Sequence, residues 1–242
     1  MSKILVIGES CRDIFVYCNA NRLCPDVPVP VLNVIDQTEN PGMAKNVQRN
    51  IKSLMGQCNI LTNFNWYNIT KTRYVHKNSN HTFIRVDSAH DINRIKLSDI
   101  DFDCDIIVIS DYNKGFLTEQ DIEYICSKHD CVFIDTKKIL GTWAEKAKFI
   151  KINDFEYNNS KKYLTKTLLD KIIHTDGANG SNYQSVNYPV KRVEVKDSSG
   201  AGDAFMAALV SEFYKTKDIV KSIKFANKCA SKVVTEIGVT TI

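Results

Sequence analysis

A short polar segment near the carboxyl end of the sequence has the residue types needed to move a phosphoryl group. It reads Asp-Ser-Ser-Gly-Ala-Gly-Asp over residues 197–203, and a strongly apolar run follows it. A helix beginning here would turn the bare backbone N–H groups of Gly200, Ala201 and Gly202 toward an anion, with the positive end of its dipole behind them. Beside an anion, the carboxylate of Asp203 is unfavourable unless it accepts the proton of an attacking hydroxyl. The segment therefore predicts a phosphoryl-transfer centre; the alternative is a tight glycine-rich turn with Asp203 as a helix-terminal charge.

Apolar runs that alternate with helix-period stretches must position this segment. The strongest strand candidates are residues 3–8, 105–110 and 131–135, each with a continuous apolar centre. Such strands are covered on both faces, and helices between them favour parallel connections. Residues 203–215 are apolar nearly all round, which predicts a buried helix directly after the glycine segment. The predicted fold class is therefore α/β, with a mostly parallel central sheet.

Two stretches break this pattern because their apolar and polar residues alternate. Residues 14–35 and 70–87 indicate half-exposed antiparallel strands, and both fall where a simple β-α-β order requires a helix. We therefore predict a small antiparallel β-sheet lid, built from about residues 12–37 and 69–88, that projects from the main sheet. The open edges of such a lid predict pairing between two chains, and so a homodimer. The sequence has no internal repeat or linker, so we expect residues 1–242 to form one domain.

Composition and charge argue against several classes of function. The formal net charge is +4, from 32 basic and 28 acidic residues, which gives no case for a nucleic-acid partner. No apolar run is long enough to cross a bilayer, so no membrane partner is expected. The eight cysteines include no Cys-x-x-Cys pair and several lie in apolar runs, which indicates reduced thiols in a cytoplasmic protein. The five histidines show no metal-ligand spacing.

The segment over residues 197–203 resembles the C-terminal signature of the ribokinase-like (PfkB) carbohydrate kinases. A second segment, Pro-Gly-Met-Ala-Lys-Asn over residues 41–46, is similar to the glycine-pair signature of that family, with Met43 in place of a glycine. A glycine there lets a sugar approach the backbone, so Met43 predicts a change in how the substrate is placed. The resemblance implies a ribokinase-like three-layer sandwich whose β-sheet lid covers the sugar.

Further motifs, spread along the whole chain, are similar to those of the D-glycero-D-manno-heptose 7-phosphate kinases within this family. The most specific are Arg-Leu-Cys-Pro-Asp-Val-Pro-Val-Pro-Val over residues 22–31 and Asp-Tyr-Asn-Lys-Gly over residues 111–115. The resemblance implies an ATP- and Mg²⁺-dependent enzyme that phosphorylates the C1 hydroxyl of the heptose 7-phosphate and gives the 1,7-bisphosphate. Members of that group often carry a nucleotidyltransferase domain; the sequence ends at Ile242, so we expect none here.

The resemblance also assigns roles to individual residues. Asp203 is the catalytic base, and the amides of Gly200, Ala201 and Gly202 form the anion hole for the transferring phosphate. The positions that correspond to substrate-binding residues are Asp13, Gly42, Asn46, Lys71, Arg73, Arg85 and Lys114. Those on the nucleotide side are Asp135, Lys137, Asn153, Thr175, Gly177, Ser199 and Asn227. Asn153 and Glu156 would position Mg²⁺ through water, because this ion keeps several of its own waters.

Several of these residues also have a plainer structural interpretation. Asp13 can be a turn former after the first strand, and Asn46 can be a satisfied polar residue within a helix. The cationic residues of the lid, Lys71, Arg73 and Arg85, can grip the distal phosphate of a sugar phosphate. They can equally be edge charges that block strand pairing.

The chain is shortened in two places compared with typical members of the family. One lies between the strand near Leu61 and the lid strand near Thr70, and the other between residues 156 and 171. Either the protein is a minimal working kinase or it has lost part of its sugar pocket. Three functions remain open: a kinase for the heptose phosphate, a kinase for another sugar or sugar phosphate, and a catalytically silent binding protein of the same fold. An oxidoreductase is set aside because residues 8–13 lack the glycines of a dinucleotide-binding motif.

Overall fold

The computed structural model describes residues 3–88, 91–236 and 238–242, and in this part of the chain twelve strands form two sheets. The larger sheet consists of β1 (Ile4–Gly8), β4 (Asn59–Leu61), β7 (Ile106–Asp111), β8 (Val132–Thr136), β9 (Phe149–Asn153), β10 (Ile172–Thr175), β11 (Ser181–Tyr183) and β12 (Val186–Tyr188). The smaller sheet consists of β2 (Ser10–Asn19), β3 (Asn33–Met43), β5 (Thr70–His76) and β6 (Thr82–Asp87). The α-helices are α1 (Ala44–Met55), α2 (Glu119–Lys128), α3 (Asp154–Ser160), α4 (Lys166–Leu169), α5 (Ala201–Thr216) and α6 (Ile219–Val233).

The larger sheet is parallel except at one edge. Its strand order is β12-β11-β10-β9-β8-β7-β1-β4, and only the pairs that involve β11 are antiparallel. Strands β1, β7 and β8 are buried along their whole length, because alternate side chains join two separate apolar clusters. One cluster packs against α1, α5 and α6, and the other packs against α2 and α4. The layers confirm the predicted α/β fold class.

The smaller sheet is the predicted lid, and its strand order is β3-β2-β5-β6. Its two outer pairs are antiparallel, as predicted, whereas the central pair, β2 with β5, is parallel. The reason lies in the larger sheet. Strands β2 and β5 follow β1 and β4, which are parallel neighbours, so both lid strands leave the larger sheet in the same direction.

The lid and the larger sheet are joined twice with almost no intervening chain. Strand β1 ends at Gly8 and β2 begins at Ser10, while β3 ends at Met43 and α1 begins at Ala44. The amide of Ala44 donates to the carbonyl oxygen of Glu9 at 2.9 Å, which ties the two junctions together. Met43 has φ +55° and ψ −129°, a backbone conformation that favours glycine. The family resemblance places a glycine at this position. Met43 therefore adopts a backbone conformation that favours glycine, although it carries a side chain.

Two further features concern the cysteines and the helices of the described residues. All eight cysteines are free. None of the helices in the ranges given above has both the length and the apolar character needed to cross a membrane.

Candidate active site

Asp203 lies in the first turn of α5, where the preceding glycine starts the helix. Gly200 has φ +79°, and a Cβ atom on it would come within 3.0 Å of the side-chain nitrogen of Asn46. Asn46, on α1, donates from that nitrogen to Oδ2 of Asp203 at 2.8 Å. The hydroxyl of Tyr112, which follows β7, donates to Oδ1 of Asp203 at 2.7 Å. Two donors, one from α1 and one from the loop after β7, therefore fix both oxygens of a carboxylate that is only 6% exposed.

The ionisation of Asp203 is set by opposing influences. Burial raises its pKa, because a low-dielectric surrounding disfavours the charged form. The hydrogen bonds from Asn46 and Tyr112 lower the pKa, since they stabilise the carboxylate; the nearby Asp135 raises it and Lys151 lowers it. Burial prevails, and the pKa of Asp203 lies above its ordinary value. A raised pKa brings a carboxylate closer to the range in which it can accept and release a proton.

A buried ion pair lies behind the glycine segment. Lys151 on β9 donates to Oδ2 of Asp135 on β8 at 2.8 Å, and both side chains are less than 10% exposed. Burial opposes the charge of Lys151, but the carboxylates of Asp135, Glu156 and Asp203 together hold the pKa of Lys151 above its usual value. A Cβ atom on Gly202 would lie 3.0 Å from Nζ of Lys151, so the ammonium group is adjacent to the predicted anion hole. We did not predict this role of Lys151; its signal was a lone lysine in the apolar run of β9.

A cavity of about 640 Å³ opens in front of these groups. The predicted catalytic segment from Gly200 to Asp203 forms one part of its wall. Of the predicted nucleotide-side residues, the cavity is lined by Asp135, Lys137, Asn153, Thr175, Gly177 and Asn227. Ser199 does not line it; its amide donates to Oδ1 of Asp197 at 2.8 Å, which shapes the turn before α5. The cavity has the size of a nucleotide site.

Asn153 and Glu156, predicted to position a metal ion, form the capping box of α3. The side chain of Asn153 accepts from the amide of Glu156 at 2.9 Å, and Oε2 of Glu156 accepts from the amide of Asn153 at 2.8 Å. Oε1 of Glu156 accepts from the side-chain nitrogen of Asn153 and from Nζ of Lys137. Asn153 lines the cavity and Glu156 does not. Their polar atoms are engaged with one another, and their metal role stays a prediction.

Asp135 offers the clearest oxygen for a cation in this cavity. Its Oδ1 atom is buried and has no hydrogen-bond partner in the described ranges. Among the same residues, no group of three or more His, Cys, Asp or Glu side chains is placed to hold a metal ion. This arrangement fits Mg²⁺ bound through water and phosphate oxygens with few protein ligands. The glycine amides and the lysines at the cavity fit the phosphates of a nucleotide.

A second cavity, of about 550 Å³, lies under the lid. Two predicted substrate residues, Lys71 and Lys114, line it together with Met43 and Asp87. The remaining candidates do not line it: Asp13, Gly42, Asn46, Arg73 and Arg85.

Carboxylates already engage both arginines. Arg73 forms an ion pair with Asp13, and Arg85 donates twice to Asp87 at 2.7 Å. Gly42 is buried, and a Cβ atom there would meet the sulfur of Cys11 at 2.8 Å.

Met43 and Tyr112 separate the two cavities. Met43 is buried in a small apolar cluster with Cys11 and Ile69, and Tyr112 packs against that cluster. Met43 lines the cavity under the lid, whereas Tyr112 lines the cavity in front of Asp203. The Met43 side chain thus occupies space that a glycine would leave open between them.

Glu9, another residue that the sequence did not single out, positions Tyr112. It is fully buried between β1 and β2, and its two oxygens accept from the amides of Tyr112 and Lys114, each at 2.8 Å. Burial and the nearby Asp111 raise the pKa of Glu9. One carboxylate therefore fixes the loop that brings Tyr112 to Asp203 and Lys114 to the cavity under the lid.

Comparison with known proteins decides the family. The sequence model of the pfkB family of carbohydrate kinases matches residues 61–242, about three quarters of the chain. This chain belongs to the pfkB family of carbohydrate kinases. Its class is that of a phosphotransferase acting on sugars, as the sequence predicted.

Curated relatives of this chain include the bifunctional protein HldE of Helicobacter pylori, which is 28% identical over 98% of the chain. HldE of Hydrogenovibrio crunogenus is 27% identical over the whole chain. The chain spans 64% and 61% of the lengths of these two relatives. The first alignment extends over 295 positions against 242 residues here, so the relative carries segments that this chain lacks.

Solved structures confirm the ribokinase-like fold. Ribokinase from Thermotoga maritima superposes with a TM-score of 0.76 at 16% identity, covering 99% of this chain and 95% of its own. The nucleoside kinase of Methanocaldococcus jannaschii gives 0.73 at 18% identity, covering 99% and 93%. Ribokinase from Arabidopsis thaliana, solved with ribose and ATP, gives 0.71 at 11% identity, covering 98% and 94%.

Proposed function

We propose that this protein is an ATP-dependent sugar-phosphate kinase that phosphorylates the C1 hydroxyl of D-glycero-D-manno-heptose 7-phosphate and gives the 1,7-bisphosphate. The observation that carries the proposal is the buried carboxylate of Asp203, which stands beside the N-terminus of α5 in the wall of a nucleotide-sized cavity. The resemblance of residues 22–31 and 111–115 to the heptose 7-phosphate kinases supports the choice of sugar.

The proposed reaction uses groups that are already oriented. Asp203 accepts the proton of the acceptor hydroxyl, while Asn46 donates to one oxygen of its carboxylate. The amides of the residues between Gly200 and Gly202 stabilise the charge that develops on the transferring phosphoryl group. Mg²⁺ would neutralise phosphate charge when bound, and Asp135, with Asn153 through water, would hold it. Lys151 adds a fixed positive charge behind the glycines.

Two lysines support an acceptor that already carries a phosphate. Lys71 and Lys114 both line the cavity under the lid, and no ion pair engages either of them in the described part of the chain. Since the two lid arginines are already paired with Asp13 and Asp87, we assign the distal phosphate to the lysines. Arg73 and Arg85 then hold the lid residues in place.

The test is an ATP-consumption assay across sugar 7-, 6- and 1-phosphates. Turnover should be highest with the heptose 7-phosphate, and Asp203→Asn should lower kcat by about 10²- to 10⁴-fold, the usual range for loss of a general base. Unchanged phosphorylation by Asp203→Asn would refute the mechanism. Turnover with another sugar phosphate alone would refute the substrate.

The distal phosphate site has its own test. Lys71→Met and Lys114→Met should each raise the KM for the sugar phosphate about 10-fold and leave the KM for ATP within about 2-fold, since each removes one charged hydrogen bond. Lys77→Met, which replaces the exposed lysine directly after β5, is the control and should change neither constant. Equal effects on both substrates would place the lysines elsewhere in the reaction.

Met43 favours a second candidate, a kinase for a different sugar or sugar phosphate. Its side chain takes up room at the cavity under the lid that a glycine would leave to the substrate. If Met43 selects a smaller acceptor, the same panel will show turnover with that acceptor, and Met43→Gly will shift the preference toward larger sugars. A panel with no turnover at all would favour a catalytically silent binding protein.

Two further expectations belong to this proposal. The exposed apolar residues of the lid support a homodimer that pairs through the lid. The eight free cysteines support a reducing, cytoplasmic environment.

A further inference from the structure

The Asp-Tyr-x-Lys-Gly motif contains one residue whose role the proposed function leaves open. Tyr112 is the tyrosine of this motif, and its hydroxyl donates to Oδ1 of Asp203 at 2.7 Å. It is the partner of Asp203 opposite Asn46, and it lines the cavity in front of the carboxylate. The question is what this hydrogen bond does to the ability of Asp203 to act as a base.

The surroundings of Tyr112 hold it in one place. Its amide donates to the buried Glu9, and its ring packs against the cluster that contains Met43. The ammonium groups of Lys71 and Lys137 lie 5.2 Å and 5.6 Å from the centre of the ring, one from the lid and one from the nucleotide side. Backbone, packing and cation–π contacts therefore all act on one side chain.

Tyr112 can donate a proton in a hydrogen bond, but it does not give that proton up. Burial first, and then the negative charges of Asp203 and Asp135, hold the pKa of Tyr112 well above its usual value. The phenol is neutral throughout the range in which kinases work, so it is not a base itself. Its hydrogen bond is most favourable when Asp203 is ionised, since charge-assisted hydrogen bonds are the stronger ones.

We propose that Tyr112 is a positioning residue for the catalytic base, donating to the ionised carboxylate of Asp203 so that it stays ready to accept the proton of the acceptor hydroxyl. The proposal rests on the kinase function above and extends it. Asn46 alone cannot serve this purpose, because it satisfies only the other oxygen of Asp203. Without the phenol, burial would push Asp203 toward its protonated form, which cannot act as a base.

The first test is the pH dependence of kcat/KM for Tyr112→Phe, which keeps the ring and removes the hydroxyl. The acidic limb should move to higher pH by roughly one unit, so that the variant is about 10-fold slower at pH values on the acidic limb of both proteins and approaches wild type as the pH rises. Tyr183→Phe, a buried tyrosine on β11 outside both cavities, should leave the limb in place. A Tyr112→Phe limb at the wild-type position, or a deficit equal at every pH, would overturn the proposal.

The second test requires no kinase activity. Asp203 ionises more readily in the wild type than in Tyr112→Phe, so the wild type loses less stability as the pH rises through the two pKa values of Asp203. The melting temperature of wild type minus that of Tyr112→Phe should therefore grow with pH above the unfolded pKa of about 3.8. In the Asp203→Asn background the same difference should not change with pH.

The two tests separate the possible failures. A pH-dependent difference that persists unchanged in the Asp203→Asn background overturns the Tyr112 proposal even if the enzyme is a kinase. If the melting-temperature difference depends on pH as expected, and this dependence is lost in the Asp203→Asn background, the hydrogen bond is supported. If the same protein has no kinase activity, the proposed function is refuted instead.

Discussion

At the scale of single residues, the buried carboxylate of Asp203 is expected to lower the free energy of unfolding when it is ionised, which is the form that can act as a base. Because its pKa is raised in the folded state, its ionisation costs stability as the pH rises above the unfolded value of about 3.8. Asp203→Asn removes this cost. We predict a higher melting temperature than wild type at pH 8 and a gap that closes toward pH 4, measured by differential scanning calorimetry.

Asp218 provides a control of opposite sign for that measurement. Hydrogen bonding from the amide of Lys221 lowers the pKa of Asp218, so its stabilising contribution is present above the unfolded pKa and lost as the pH falls through the folded value. Asp218→Asn should be slightly less stable than wild type at pH 8, and the difference should vanish as the pH falls through the folded pKa of Asp218. An Asp203→Asn protein less stable than wild type at pH 8 would contradict the interpretation of Asp203.

The buried pair of Lys151 and Asp135 gives a second residue-scale prediction. Lys151→Met leaves the carboxylate of Asp135 buried without its counter-ion, and should cost about 3–5 kcal/mol of unfolding free energy. Adding Asp135→Asn should restore much of the loss, because the uncompensated charge is then gone. Urea unfolding of the single and double variants measures both effects.

Lys221 is the matched control for Lys151. Its ion pair with Asp218 is 3.7 Å long, and its side chain is 69% exposed. Lys221→Met should change the unfolding free energy by no more than about 1 kcal/mol, as is usual for exposed pairs. If Lys151→Met were no more costly than this control, the pair would not be the buried interaction described above.

The residue scale also shows what the sequence could predict about the site. Asp203 and its glycines form a local motif, so their neighbourhood could be predicted from consecutive residues. Glu9 and Tyr112 reach the site only because the ends of β1, β7 and α5 lie close together in the fold. The spacing of these residues in the sequence does not predict that contact. The family resemblance assigned Asn46 to sugar binding. Its hydrogen bond to Asp203 joins residues 157 positions apart, so the sequence could not predict this contact.

At the scale of elements, the junction of β3 and α1 contains a conflict between backbone and side chain. Met43 has a left-handed φ of +55°, which suits glycine, yet its side chain is 96% buried. Met43→Gly should lose packing of about 2–5 kcal/mol and recover strain of about 1–3 kcal/mol. Met43→Ala loses nearly the same packing and keeps the strain.

We therefore predict that Met43→Gly is more stable than Met43→Ala, the reverse of the order found at ordinary helix and strand positions. Urea unfolding of the two variants beside wild type checks the order. A glycine variant less stable than the alanine variant would mean that the backbone at this junction relaxes and stores no strain.

The elements themselves follow closely from patterns in the sequence. Continuous apolar runs identified β1, β7 and β8, because strands buried on both faces carry mostly apolar side chains. Alternation identified the lid for the opposite reason, since one of its faces is exposed. The parallel pairing of β2 with β5 could not be predicted, because it depends on β1 and β4 being neighbours in the other sheet.

At the scale of the whole molecule, the lid is expected to join two copies of the chain. Its exposed apolar side chains include Val34, at 62% exposure, and Ile84, at 53%. Val34→Lys and Ile84→Lys should convert a dimer to a monomer, because a charge buried at an interface without a partner is costly. Size-exclusion chromatography with light scattering measures the mass.

Leu169 on α4, 44% exposed and outside the four strands of the lid, is the control for that experiment. Leu169→Lys should leave the mass unchanged. A wild-type protein that is monomeric at the concentrations of the assay would refute pairing through the lid.

The two loop-free junctions of the lid, at Glu9 and at Met43, also restrict how the lid can move. Junctions this short leave the lid little freedom to slide along the larger sheet, so a rotation of the lid would turn about an axis through the residues at the junctions. Glu9 lies on that axis and also holds the loop that carries Tyr112. A rotation of the lid about this axis would therefore act on the loop that carries the Tyr112 hydroxyl, the hydrogen-bond donor of Asp203.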